Sequence, residues 1–245
     1  MATVYVFDVD GTLTPALTEV DEEFADFFLS WAQHPSRKVY LATGSDIHKT
    51  QKQLFESFID QCEGIFTCSG NVYYSQGKLI YKNELQIPPG FIEDLKLYLD
   101  QGSWWRQKTG NHIERRSGMI NFSTLGRNAS ANLREAYYNW DLHSGERQDI
   151  VEYITHLYPE FEVSIGGRIS VDIYPTGKNK AQVVDHIHRA HGNKVPIIFV
   201  GDRNVPGGND WPLAQRLEKL EGCHWFQVES YMETKALIEH NELFS

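Results

Sequence analysis

The chain has 245 residues, 41% hydrophobic and 23% charged, a composition that suits a folded protein and excludes a disordered or fibrous one. That length implies one large α/β domain or a core carrying an inserted second domain. A formal charge of −10 argues against nucleic acid as the main partner, because a phosphate backbone calls for a basic face, and no stretch approaches the length needed to cross a bilayer.

The first residues run directly into an apolar strand, with no basic segment followed by a long apolar run, so a cytoplasmic protein is expected. Cys62, Cys68 and Cys223 have no CxxC spacing and are read as reduced thiols. Thr3 to Asp8 reads as a strand, the loop after it contains Gly11, and an amphipathic helix follows over 21–33. Residues 38–42 form a second strand that stops at Thr43 and Gly44. One helix is expected over 46–58 with Leu54, Phe55 and Phe58 on one side, then a third strand over 64–67 and a hairpin over 72–82 turning near Gln76 and Gly77. This alternation implies a parallel sheet.

After Pro88 and Pro89 the pattern changes. A helix over 91–101 precedes β-rich runs at 113–116, 119–123, 162–165 and 169–174, with one polar helix over 149–158. An antiparallel sheet with helices on one face fits that stretch. From Gly177 the α/β pattern returns, with a helix over 180–191 and an apolar strand over 197–200 closed by Gly201 and Asp202. The core is therefore expected over 1–84 and 178–245, with an α+β insertion over 85–177.

The chemistry gathers where core strands end. Asp8 and Asp10 follow the first strand, and ligands of a parallel sheet sit beyond the carboxyl ends of its strands. Two carboxylates there repel each other unless a cation neutralises them, and Mg²⁺ is the hard, oxygen-seeking choice. Asp202 follows the later apolar strand, with Asn209 and Asp210 after a short loop, and these three join Asp8 and Asp10 as candidate Mg²⁺ ligands; Asn209 and Asp210 also suit closure of the Gly207-Gly208 turn. Thr43, Gly44 and Ser45 offer hydroxyls and N–H groups to phosphate oxygens, and also suit an N-cap for the following helix. Lys180 supplies a positive charge to balance phosphate and the Asp8 carboxylate.

The ordered set DVDGT, ATGS, Lys180 and GDRNVPGGND resembles the four motifs of the haloacid dehalogenase (HAD) superfamily of phosphotransferases. That resemblance implies a Rossmann-like HAD core, with Asp8 as nucleophile forming an aspartyl phosphate and Asp10 as acid/base. It implies that Thr12 and Thr43 bind the transferring phosphoryl group, that Lys180 orients it, and that Asp202 holds Mg²⁺ with Asp8 and the Asp10 carbonyl. The stretches RSGMINFSTLGRNAS and SIGGRISVDIYPTGKNK, together with the terminal LFS, are similar to the eukaryotic-type phosphomannomutase family. By that likeness the insertion is a substrate-specificity cap in which Arg116, Arg127 and Arg134 clamp the phosphate that is not reacting. Ser170 and Asp172 would contact the sugar or that phosphate. Arg115, adjacent to Arg116 on a strand, points to the opposite face and is excluded.

Two departures stand out. Leu17 replaces an arginine that follows DGTLTPA in the family, and WPLAQRLEKL replaces an acidic segment linked to a second cation site, so no second metal is carried over. The resemblance implies interconversion of mannose 6-phosphate and mannose 1-phosphate, primed by a hexose 1,6-bisphosphate, in a cytoplasmic homodimer paired through the cap. That places the chain in GDP-mannose biosynthesis, with hinges near 82–88 and 175–178. A sugar-phosphate phosphatase on the same scaffold is the alternative, since only competition between water and sugar for the aspartyl phosphate separates the two.

Overall fold

The structure, a computed structural model, describes residues 2–244; Met1 and Ser245, the last residue of the LFS match, lie outside them. The chain forms two compact units, Met1–Lys82 with Asn179–Ser245, and Asn83–Lys178.

The first unit opens with β1 (Thr3–Phe7), α1 (Glu22–Ala32), β2 (Arg37–Ala42), α2 (Ile47–Gln53), α3 (Glu56–Asp60), β3 (Gly64–Thr67) and the hairpin β4 (Val72–Ser75) and β5 (Lys78–Lys82). Left-handed Gln76 and Gly77, φ 49° and 69°, make the tight hairpin turn that the sequence places there. The single helix expected over 46–58 is in fact two. Leu54 is extended at φ −114°, ψ 116°, and the Gln53 carbonyl leaves the helical ladder to accept from the Val20 N–H at 2.8 Å. The break buries Leu54 and Phe58 but leaves Phe55 exposed.

The inserted unit contains α4 (Phe91–Leu97), which runs into one π-helical turn, then β6 (Ile113–Arg116), β7 (Met119–Phe122), α5 (Ala131–Ser144), α6 (Glu146–Leu157), β8 (Phe161–Gly166) and β9 (Ser170–Pro175). Its strands form an antiparallel sheet in the order β6-β7-β9-β8. Helix α5 was not anticipated from sequence, because among its residues only Tyr137 and Asp141 are buried and no apolar stripe marks it. The buried Glu146 carboxylate organises this region. It accepts from Ser103 Oγ at 2.7 Å, Trp104 N at 2.6 Å, Thr124 Oγ1 at 2.5 Å and the Tyr137 hydroxyl at 2.9 Å. Burial alone would raise its pKa, but the bonds from Thr124, Ser103, the Trp105 N–H and Tyr137 hold it below the usual glutamate value.

The chain then returns to the first unit with α7 (Gln182–His191), β10 (Ile197–Gly201), α8 (Trp211–Leu217), β11 (His224–Gln227) and α9 (Tyr231–His240). Sheet order is β11-β10-β1-β2-β3-β4-β5, parallel from β11 through β3. Strands covered on both faces must be apolar on both faces, and β1 and β10 are. Tyr5 and Phe7 pack with Phe24 and Phe28 of α1 on one face, while Val4 and Val6 pack with Val183, Ile187 and Leu213 on the other. In register, Phe7 lies beside Val200 on one side and Leu41 on the other. That alignment brings the chain after β1, β2 and β10 to a common sheet end.

Candidate active site

Asp8 is the first residue beyond β1, anchored by its N–H to Val200 O at 2.9 Å, and its carboxylate is buried. Lys180, just before α7 and 0% exposed, donates to Asp8 Oδ1 at 2.7 Å and also to Asp210 Oδ1. Burial alone would lower its pKa, but Asp210 and Asp8 raise it further than burial lowers it and keep the group an ammonium. The other Asp210 oxygen accepts from the Arg203 N–H at 3.0 Å. Asp210 is therefore engaged on both oxygens and serves first to hold Lys180 against Asp8. Asn209 is half-buried at the preceding position.

Asp202 closes the group. Carboxylate oxygens of Asp8, Asp202 and Asp210 lie within 4.8 Å of one another. The approach depends on Gly11 at φ 84°, where a Cβ would sit 2.7 Å from Asp202 Oδ2, so any side chain there would push Asp202 away. Burial, then Lys180 working against it and the neighbouring Asp210 and Asp202 with it, leave the Asp8 carboxyl well above the usual range. Burial and Asp210 push Asp202 up to about 7, against the pull of Arg203 and Lys180. Lys180, and Arg203 paired with Asp202 at 3.4 Å, thus set two positive charges against three clustered carboxylates. The deficit, and the hard oxygen donors, fit a divalent cation such as Mg²⁺ on Asp8 and Asp202.

This carries a pH prediction. A carboxyl whose folded pKa lies above its unfolded value gives stability that is complete below the unfolded pKa and lost as pH rises through the folded one. For Asp202 that window ends near 7, so metal-free protein should be about 1 kcal/mol less stable at pH 8 than at pH 6, a Tm drop of roughly 3 °C. Mg²⁺ should raise Tm more at pH 8 than at pH 6 in a thermal melt. Equal shifts at both would contradict the assignment.

Asp10 is half-buried, and its carboxylate accepts from Ser45 Oγ at 3.2 Å, Gln53 Nε2 at 2.8 Å and Leu17 N at 3.3 Å. Thr12 is fully buried, and its hydroxyl has no hydrogen-bond partner among the described residues, as expected of a group reserved for a ligand. Its carbonyl is pinned by Thr234 Oγ1 at 2.7 Å. Thr43 Oγ1 accepts from the Ser45 N–H at 3.1 Å, closing a tight turn with Gly44 at its centre. The N-cap of α2 is Asp46, which accepts from Lys49 N at 2.9 Å; the Thr43–Ser45 turn is not the cap. That turn is held from behind by left-handed Cys68 and Ser69, φ 52° and 56°, whose N–H groups reach Ser45 O and Thr43 O at 2.9 Å each.

In the inserted unit, Arg116, Arg127, Ser170 and Asp172 come together around two residues the sequence reading missed, Glu114 and Asn121. Glu114 pairs with Arg116 at 2.9 Å and Arg127 at 3.2 Å. Asn121 donates to Ser170 Oγ at 2.9 Å and Asp172 Oδ1 at 2.7 Å, and accepts from Arg127 at 3.1 Å. Arg134 on α5 donates to the backbone carbonyls of Ala129, at 2.9 Å, and Arg127. Burial, then the nearby Arg116 and Arg134 charges, lower the Arg127 pKa against the pull of Glu114. Crowded guanidinium groups of this kind make a ready phosphate site. Arg115 is exposed.

Comparison with known proteins points the same way. The profile of the family described as "Eukaryotic phosphomannomutase" matches residues 28–220. A phosphomannomutase from Galdieria sulphuraria is 31% identical over 229 residues, 87% of this chain and 85% of that protein. The Saccharomyces cerevisiae phosphomannomutase is 32% identical over 219 residues, with 86% and 84% covered. Among solved structures, a haloacid dehalogenase-like hydrolase from Bacteroides thetaiotaomicron superposes with a TM-score of 0.59 at 12% identity, over 98% of this chain and 99% of that one, which shows the shared HAD fold. Together with the ordered motifs at the strand ends, these matches establish that the chain belongs to the eukaryotic phosphomannomutase family.

Proposed function

We propose that this enzyme interconverts mannose 6-phosphate and mannose 1-phosphate through a phosphorylated Asp8. The observation that carries the reading is the buried Lys180, held between Asp8 and Asp210 at the carboxyl end of the central strand, in a chain of this family.

An Asp8 oxygen attacks phosphorus of the priming hexose 1,6-bisphosphate, the bond from phosphorus to the sugar oxygen breaks, and Asp10 gives that oxygen a proton. In the return step Asp10 takes the proton from the sugar hydroxyl, which attacks the aspartyl phosphate. Thr12, with its unpartnered buried hydroxyl, and the Thr43–Ser45 turn hold the transferring oxygens. Lys180 lowers the Asp8 pKa against the effect of burial and orients the carboxylate. Asp8, Asp202 and the Asp10 carbonyl would hold Mg²⁺, which when bound offsets charge on the carboxylates and the phosphoryl group. Asn209 and Asp210 would support that centre, Asp210 through Lys180. In the inserted unit Arg116 and Arg127, with Arg134 behind them, would bind phosphate, and Ser170 and Asp172 the sugar.

The same reading makes the chain a cytoplasmic homodimer paired through the inserted unit and serving GDP-mannose synthesis. No helix among the described residues is long and apolar enough to cross a membrane.

The test is a paired assay with Mg²⁺, mannose 1-phosphate and a trace of glucose 1,6-bisphosphate, following mannose 6-phosphate and free phosphate together. Isomerisation that depends on the bisphosphate, with free phosphate below about a tenth of the product, is expected. Phosphate release without isomerisation would instead mean a phosphatase that has kept the family's inserted unit.

A further inference from the structure

Gln53 ends α2, where an exposed polar residue would serve the helix equally well. Its side chain is instead 4% exposed and turned to the carboxylate proposed above as the acid/base, with Nε2 donating to Asp10 Oδ1 at 2.8 Å. The other amide atom, Oε1, is buried with no hydrogen-bond partner among the described residues. A buried acceptor left unpaired destabilises a fold, so the fold alone would favour a leucine at this position.

Two further donors meet the same carboxylate. Gln53's backbone carbonyl accepts from Val20, tying α2 to the loop that follows Asp10, and in that loop Leu17 is held at φ 65°, a strained conformation for a residue with a Cβ. Its N–H reaches Asp10 Oδ1 at 3.3 Å. Leu17 thereby contributes through its backbone where its side chain offers nothing to a phosphate. On the opposite side Ser45 Oγ donates to Asp10 Oδ2 at 3.2 Å while accepting from Lys49 Nζ at 3.0 Å. Three segments thus converge on one half-buried carboxylate. The two donors on Oδ1 are N–H groups that cannot become acceptors, whereas the Ser45 hydroxyl on Oδ2 can rotate to do either.

We propose that Gln53 is a positioning residue for Asp10: its donor to Oδ1, opposed by the Ser45–Lys49 pair on Oδ2, fixes the carboxylate plane so that Oδ2 is the oxygen that exchanges a proton with the sugar. This rests on Asp10 being the acid/base. Misplacing such a group by a fraction of an ångström costs turnover but leaves substrate binding intact.

The experiment compares Gln53→Leu, and Gln53→Met should the leucine variant not fold, with Asp10→Ala in the paired assay and in thermal melts. Expected is a 10- to 100-fold fall in kcat with KM for mannose 1-phosphate within threefold, while Tm stays level or rises because the unpaired Oε1 is gone. A role in the fold alone predicts the reverse, a lower Tm with normal kcat, and that result overturns the proposal. So does a kcat loss matched by a loss of Tm in both variants. If Asp10→Ala turns over normally, the acid/base reading itself falls; if it is dead while the Gln53 variants turn over normally, only the positioning role falls.

Discussion

Asp8→Asn should abolish turnover, by more than about 10⁴-fold, while leaving the protein folded. Removing a nucleophile eliminates the covalent route, and the residual rate is what binding and charge alone supply. The amide keeps an oxygen that can accept from Lys180, so the contact at 2.7 Å survives in weakened form. It also removes one charge from a group of three crowded carboxylates whose Asp8 pKa is already pushed up by burial. The metal-free variant should therefore melt at or above the wild-type temperature, and the Mg²⁺-induced rise in Tm should shrink. Incubation with the bisphosphate followed by mass spectrometry should find no phosphoryl adduct. Wild-type turnover in this variant would refute nucleophilic catalysis by Asp8.

Lys180→Met should damage both stability and activity, and the two are separable. The ammonium is 0% exposed and bridges two buried carboxylates, so its loss leaves Asp8 and Asp210 facing each other without a cation. Removing one partner of such a buried group costs about 3–5 kcal/mol, or a Tm lower by roughly 10 °C for a chain of this size. Turnover should be undetectable. Adding Asp210→Asn to the variant removes the repulsion and should restore most of the Tm, but not activity, because nothing then holds Asp8 and phosphate together. A Tm unchanged in Lys180→Met would show that the bridge does not contribute to the fold. Recovery of turnover in the double variant would show that Lys180 has no chemical role.

The α/β class was legible because the parallel core strands are unbroken apolar runs, VYVF and IIFVG, separated by helical periodicity. The motif order was legible too, since Asp8, Thr43 and Asp202 each follow such a run and parallel pairing sends strand ends to one edge. Local signals failed where a tertiary bond overrides the helix. The pattern over 46–58 reads as one helix, but the Val20 N–H draws the Gln53 carbonyl out of it. They failed again in α5, whose mostly polar surface gives no stripe to detect. Asp46 as the cap of α2 was available in principle, as Asp before a helical run is a start signal, but Thr43–Ser45 competed for that role.

By itself, then, the sequence determined which residue types stand at which strand ends, because strands and turns are written in short-range periodicity and in Gly, Asp and Thr at chain reversals. Only the tertiary structure decided how those groups act on one another. That Lys180 meets Asp8 across 172 positions, that Asp210 is spent on Lys180, and that Gln53 and Leu17 both turn toward Asp10 depend on side-chain distances of about 3 Å, set by sheet register and loop packing. Charge balance follows those distances, since the interaction of two charges depends on their separation and on how much water lies between them, and neither quantity is written along the chain.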